Sequence, residues 1–370
     1  MAADPRTRRH IFSLRRAIPV AALLIGIAAA ATAIVQARPH GPKTGVEKDA
    51  APPGSARDFD EHIRRERDIR LAESQSVLNV NPRVEVDRLG GFLIADANEA
   101  QVRRYAPDGR LLWAFGRKGQ GPGEFLRLST ALRTRGDTIL AAEISGRVSL
   151  IDPAGSRLAR LRQTGLGPLY DGTLVGDSLV VFAAREGGKV DTPLLHVWNV
   201  GKDSVTSRFF RTPAAPRGLE SAYAFAGTAD VAARGDTLAA VFALSDTVFL
   251  FDVRGRLLER VPIPFQRFRR PTEPMPKLAG IDEYRKWASG FSAISQIHWL
   301  SDGSFIIQYF DTDGMTPRWR LAHLTRRGRR LFEVLDSPQL LAVSQASDSL
   351  YFVTPDAETP AFLTAASVVR

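Results

Sequence analysis

Beyond residue 75 the apolar residues fall in runs of four to eight, rich in Val, Ile, Leu and Phe and broken by Gly, Asp, Asn and Pro. Runs of that length between turn residues read as β-strands, and only a few short stretches suggest helix. Six of the breaks align. Gly90-Gly91 precedes Phe92-Leu93-Ile94, Asp137-Thr138 precedes Ile139-Leu140-Ala141, and Asp177-Ser178 precedes Leu179-Val180-Val181. Asp236-Thr237 precedes Leu238-Ala239-Ala240, Gly303-Ser304 precedes Phe305-Ile306-Ile307, and Asp348-Ser349 precedes Leu350-Tyr351-Phe352. Gly and Asp suit the positive φ angles and side-chain-to-backbone bonds of tight hairpin turns, so each break marks a turn from a first strand into a second.

A second landmark recurs downstream, where an apolar strand ends in a turn closed by Gly: Val102 to Gly109, Val148 to Gly155 and Val248 to Gly255, with weaker copies ending at Gly201 and Gly328. Another short run follows each Gly, as at Leu111 to Phe115, Leu257 to Val261 and Leu331 to Val334. A unit is therefore four strands long. The aligned residues Phe92, Ile139, Leu179, Leu238, Phe305 and Leu350 are 47, 40, 59, 67 and 45 positions apart, which is propeller spacing with two enlarged units. The expected fold is all-β: a six-bladed β-propeller of four-stranded blades, with an open β-sandwich as the structural rival. The last unit has room for only three strands. A strand from the stretch Asp68 to Ser76 is expected to complete it from outside, because a propeller must close to hide its edges.

The N-terminus has a different texture. Arg8, Arg9, Arg15 and Arg16 precede an uncharged, Ala-rich stretch of 19 residues from Ala17 to Val35, and Arg38 follows. This is the layout of a secretory signal with a cleavage site after Ala37, and it is also long enough for a single membrane anchor. Both place the body outside the cytoplasm, in the periplasm, outside the cell or tethered to the membrane. Thr7 to Phe12 loosely resembles a twin-arginine signal. The expected organisation is a signal or anchor at 1–37, a flexible linker at 38–67, and the propeller at 68–370.

Composition adds exclusions. The chain has no cysteine, which removes disulfides, thiolate metal sites, cysteine nucleophiles and an acylated lipobox. Its net charge of +10 comes mostly from scattered arginines interleaved with acids, as in Arg64-Arg65-Glu66-Arg67-Asp68, so it reads as solvated surface and not a nucleic-acid site.

The segment Phe115-Gly116-Arg117-Lys118-Gly119-Gln120-Gly121-Pro122-Gly123-Glu124-Phe125, with Ile94 to Asn98 and Asp108-Gly109 before it, resembles an NHL-type repeat. It is particularly similar to the NHL-like six-bladed propellers of exported bacterial proteins, strongly over residues 84–125 and fairly to 165. The resemblance implies fold more than function, since such propellers include protein-binding, RNA-binding and enzymatic members. The Gly-rich segment lacks a Walker-type Gly-Lys-Ser/Thr and leads into another strand, so it is expected to be a crossing between blades and not a phosphate loop.

Some propellers resembling this family perform lyase or lactone-hydrolysing chemistry around a central metal. Here His298, in Ser295 to Trp299, is the only histidine expected on an innermost strand, and one histidine does not make a metal site. Asp96 and Glu143 occupy equivalent positions after the second strands of the first two units. They suit either an acid/base or calcium role or, as in the NHL pattern, bracing of a turn. No catalytic residue, metal or cofactor is assigned. Two insertions, Arg211 to Phe225 and Pro264 to Phe291, are the expected functional loops. Within the second, a short helix is expected over Ile281 to Ala288. Its Arg267, Phe268, Arg269 and Arg270 could grip an acidic or aromatic partner, or the phenylalanines could simply pack the loop down. The reading is a monomeric extracytoplasmic binding module for a protein, peptide or glycan, with a metal-dependent hydrolase or lyase as the alternative.

Overall fold

The structure, a computed structural model, describes residues 55–72, 83–87, 89–185, 192–277, 280–313, 316–354 and 362–369. The expected signal or anchor at 1–37 lies outside them. No helix among the described residues is long and apolar enough to cross a membrane. The described residues form twenty-four strands, β1 to β24 in chain order, and three helices: α1 (Ser55–His62), α2 (Glu220–Ala226) and α3 (Ile281–Ala288).

The strands make six four-stranded antiparallel sheets, each a blade of the expected propeller. Blades 1 to 5 span residues 83–115, 128–163, 169–211, 229–262 and 292–337. Their first strands are β2 (Arg83–Val86), β6 (Leu128–Arg133), β10 (Leu169–Val175), β14 (Ala229–Arg234) and β18 (Ser292–Trp299). Blade 6 begins with β22 (Leu340–Val343) and ends in β24 (Phe362–Val368). The first strands touch in the order β22, β2, β6, β10, β14, β18, and so line the axis. Gln296 Nε2 donates to the Leu340 carbonyl at 2.6 Å, which joins β18 to β22 and completes the ring.

The apolar runs follow from this stacking. A middle strand of a blade is covered on both faces, so Phe92–Asp96 and Ile139–Glu143 are buried throughout and show no alternation. Outer strands alternate, as in the half-exposed Leu111–Phe115. Six apolar clusters correspond to the six junctions between neighbouring blades. The aligned turns carry positive φ at Gly90, Asp137, Gly303 and Asp348. In blades 3 and 4 the preceding Gly176 and Gly235 carry it instead, so there Asp177 and Asp236 stand beside the strained position and not in it.

Closure works as expected in kind and differs in place. The strand completing blade 6 is β1 (Ile63–Arg70), antiparallel to β24, and it starts five residues before the expected Asp68. α1 and the first five residues of β1 thus fall in the stretch 38–67 read as linker. The reason is local: Arg64-Arg65-Glu66-Arg67-Asp68 is the solvent face of an edge strand, where charge deters pairing with another chain. The turn of blade 1 between β4 (Gln101–Tyr105) and β5 (Leu111–Phe115) then seats on the end of β1. Gly109 there has φ 86°, and a Cβ on it would stand 2.0 Å from the Arg70 carbonyl oxygen, so only glycine fits.

Both insertions lie on the face of the disc where first strands begin. α2 precedes β14 and α3 precedes β18, the latter over the expected residues. They pack on each other through Phe225, whose ring stacks on Tyr284 at 6.0 Å and meets Trp287 edge-on at 5.9 Å.

Candidate functional site

Alternation along a first strand sends one set of side chains into a blade junction and the other toward the axis. In β2, Val84 and Val86 join the blade 6–blade 1 core, leaving Arg83, Glu85 and Asp87 on the other face. The same geometry brings Asp171 from β10, Asp230 from β14, and Gln296 and His298 from β18 to a channel cavity of about 560 Å³. Thr130, Thr173, Ser344 and Gln345 add neutral polar groups, and Val, Leu, Ile and Ala side chains complete the wall.

The charged groups form one connected cluster. Arg83 Nη1 lies 3.4 Å from Asp171 Oδ2. Asp230 Oδ2 accepts the Ile297 N–H at 2.8 Å, while its Oδ1 is buried without a donor among the described residues. Burial first, and then the charge of Asp171 and a hydrogen bond with it, raise the Asp230 carboxyl well above the usual carboxylate range. Burial lowers the His298 imidazole to about 4, the nearby Asp171 and Arg83 charges pulling in opposite directions. The neutral ring places Nε2 3.0 Å from Gln296 Oε1, which can only accept, so Nε2 carries the hydrogen.

On the blade 1–blade 2 side, Glu85 Oε2 accepts the Arg133 N–H at 2.7 Å, and the Arg133 Nη1 reaches Asp87 Oδ2 at 2.9 Å. Burial nevertheless pushes the Glu85 carboxyl up to about 8 from 4.5. The folded chain thus holds a proton that the unfolded chain releases between those values, so Glu85 makes stability fall as pH rises through that window. In Glu85→Gln this dependence is removed. The variant's urea midpoint, compared with that of the parent, should improve steadily between about pH 5 and about pH 8. A difference that stays flat with pH would mean that Glu85 ionises as a solvated carboxyl does.

The expected site residues separate. His298 is in the channel, on the expected innermost strand. Asp96 and Glu143 are buried braces: Asp96 Oδ1 accepts the Asn98 and Glu99 N–H groups at 3.0 and 3.1 Å, and Glu143 Oε1 accepts that of Leu126 at 2.7 Å. Glu143 thereby pins the end of the Gly-rich segment, which joins the outer strand of blade 1 to β6. There Gly116, φ 104°, sits against Phe125, whose ring a Cβ would approach to 2.3 Å. Neither carboxylate contributes to the channel.

In the larger insertion, Phe265 and Phe268 stack 5.1 Å apart and cover Tyr309, so the phenylalanines pack the loop down. Arg270 is spent on both oxygens of Asp246, at 2.8 and 2.7 Å. Arg267 and Arg269 remain exposed beside a second cavity.

Arg83, Glu85, Asp171 and Asp230 were not singled out from sequence, although a signal existed. Each lies in the strand just before an aligned turn, and charges at alternate positions of such strands point to the axis. Among the described residues, Asp58, Glu61 and His62 on α1 are the one group of three or more His, Asp or Glu side chains that converges at metal-ligand spacing, and it is away from the channel.

No family model and no curated protein matches the chain. Solved structures do. A member of the DUF4221 family from Bacteroides vulgatus superposes with a TM-score of 0.58 at 9% identity, over 83% of this chain and 98% of that one. A protein of Bacteroides fragilis described as exported superposes with a TM-score of 0.60 at 12% identity, over 85% and 97%. At such identity the likeness is one of fold.

Proposed function

We propose that the protein is an extracytoplasmic binding module whose channel takes a small polyhydroxylated ligand, the end of a glycan. The observation that carries this is a channel cavity of about 560 Å³ with the Asp230 carboxyl in its wall, one oxygen of which, Oδ1, is buried and matched by no donor among the described residues. A buried polar atom left unmatched costs about 1–3 kcal/mol, a cost a ligand hydroxyl removes. Around it stand the Asp171 carboxyl and donors and acceptors from Arg83, Gln296 and His298. Such a mixture of donors and acceptors suits adjacent hydroxyls better than a simple ion. The arginine-flanked leader at 8–38 supports export, and the 84–125 repeat supports kinship with NHL-like propellers.

Calorimetric titration with neutral mono- and disaccharides tests the reading. Saturable binding is expected, weakened at least about tenfold in Asp171→Asn, which removes the acceptor charge. A panel without any binder would sink it.

A second reading rests on the same pair. Two carboxyls meeting in one buried cluster can serve as general acid and general base, so a propeller hydrolase or lyase is the rival. It predicts product formation from glycosides or lactones that disappears in the same variant.

A further inference from the structure

We infer that the pocket between the 264–291 insertion and the blade-5 hairpin of β19 (Phe305–Asp313) and β20 (Thr316–Leu324) binds a tetrahedral oxyanion, a phosphate or sulfate group. This pocket, of about 580 Å³, is lined by Arg267, Arg269, Arg318 and Arg320, with Asp311 as the one acid among the described residues. It lies where the chain enters β18, and none of its lining residues lines the channel.

Asp311 cannot balance that charge. Its Oδ2 accepts both Nε and Nη2 of buried Arg320, at 3.0 and 2.6 Å, and its Oδ1 accepts the Ser292 hydroxyl at 2.5 Å. Arg269 Nη2 is left 3.9 Å from the same carboxylate, at the limit of an ion pair. The exposed Arg267 and Arg269 thus stand over a floor made rigid by the buried Asp311–Arg320 pair.

The rim is held as firmly. The Arg269 N–H donates to Ser292 Oγ at 2.9 Å, and the Ser292 N–H returns to the Arg269 carbonyl at 2.8 Å. One step earlier, the Gln266 N–H donates to Glu333 Oε2 at 2.8 Å, with Phe268 anchored on Tyr309 between the two arginines. Thr312 adds a buried Oγ1 without a partner at the same pocket. Planar guanidinium forks and a hydroxyl donor match the several acceptor oxygens of phosphate or sulfate, whereas a single carboxylate would leave donors unused.

The test is titration of the whole chain with inorganic phosphate, followed by phosphorus NMR and calorimetry, then with sulfate, a sugar phosphate and vesicles containing phosphatidic acid. Saturable phosphate binding is expected, weakened at least about tenfold in Arg267→Ala/Arg269→Ala and unchanged in Arg254→Ala, an exposed arginine at the blade-4 turn. Both altered side chains are exposed, so the double variant should fold as the parent does. Asp171→Asn should also bind phosphate normally, which separates this pocket from the channel. Tighter binding of the sugar phosphate than of the vesicles would identify a soluble ligand, and the reverse a lipid headgroup. Absence of saturable binding, or an equal loss in Arg254→Ala, overturns the inference.

Discussion

Replacing Ile63 and Ile69 together by alanine should leave the chain largely unfolded in water at neutral pH. Both side chains are buried, 0% and 3% exposed, in a strand otherwise open to solvent. Their positions differ by six, which in a regular strand would put them on one face. A bulge between Arg65 and Arg67 adds a residue and reverses the second half of the strand. Ile63 therefore packs in the blade 5–blade 6 junction with Phe59, Phe352 and Leu300, and Ile69 in the blade 6–blade 1 junction with Phe92 and Leu363.

Each Ile→Ala change should cost about 2–5 kcal/mol in lost burial and residual cavity. Their sum rivals a typical domain stability of about 5–15 kcal/mol, and loosening β1 would also bare the edge of β24. Circular dichroism and urea unfolding of the single and double variants would measure this. Arg64→Ala, on the solvent face of the same strand, should stay within about 0.5 kcal/mol of the parent. A double variant that unfolds within about 1 kcal/mol of the parent would show that β1 does not hold the ring closed.

Arg185→Ala should cost about 3–5 kcal/mol and loosen the roof made by the two insertions. Arg185 follows the second strand of blade 3 and is 3% exposed. Its guanidinium donates to the carbonyls of Tyr223, at 2.9 Å, and of Ala224 and Gly227, and so caps the C-terminus of α2 with a cation. Alanine would strand these carbonyls, and each unmet acceptor of a charged donor is costly. Through Phe225 the disturbance reaches Tyr284 and Trp287 on α3. The measurements are the denaturant midpoint and tryptophan fluorescence, which should report Trp287 becoming wetter before global unfolding. Arg185→Lys should recover only part of the loss, because an ammonium lacks the planar fork. A midpoint equal to the parent's in Arg185→Ala would show that the cap is dispensable.

The residues that were legible from sequence and those that were not differ in how local their signals are. Asp137 and Gly303 announce hairpins because a positive φ needs a particular residue type at that position. The helix at Ile281–Ala288 was visible through its own pattern, with Glu283 reaching back to the Gly280 N–H at 3.2 Å. Strand β1 was hidden because only two of its eight residues are apolar and its bulge breaks the expected period. In the Phe265–Arg270 stretch, residue types alone showed a possible grip. Asp246, 24 positions away, decided that Arg270 is a brace and not a free cation.

By itself, the sequence determined the number of blades, the order of strands within them and the need for a strand from the N-terminal side to close the ring. These follow from turn chemistry and apolar runs, which act between neighbours in the chain. Tertiary structure alone decided the channel. Arg83, Asp171, Asp230 and His298 come from four different blades and are 59 to 88 residues apart in succession, and of these only His298 stood out in its own strand. What joins them is the closing of a ring, which brings one edge of every blade to a common axis. Only there does the Asp171 charge reach Asp230 and join burial in raising that carboxyl above the usual range.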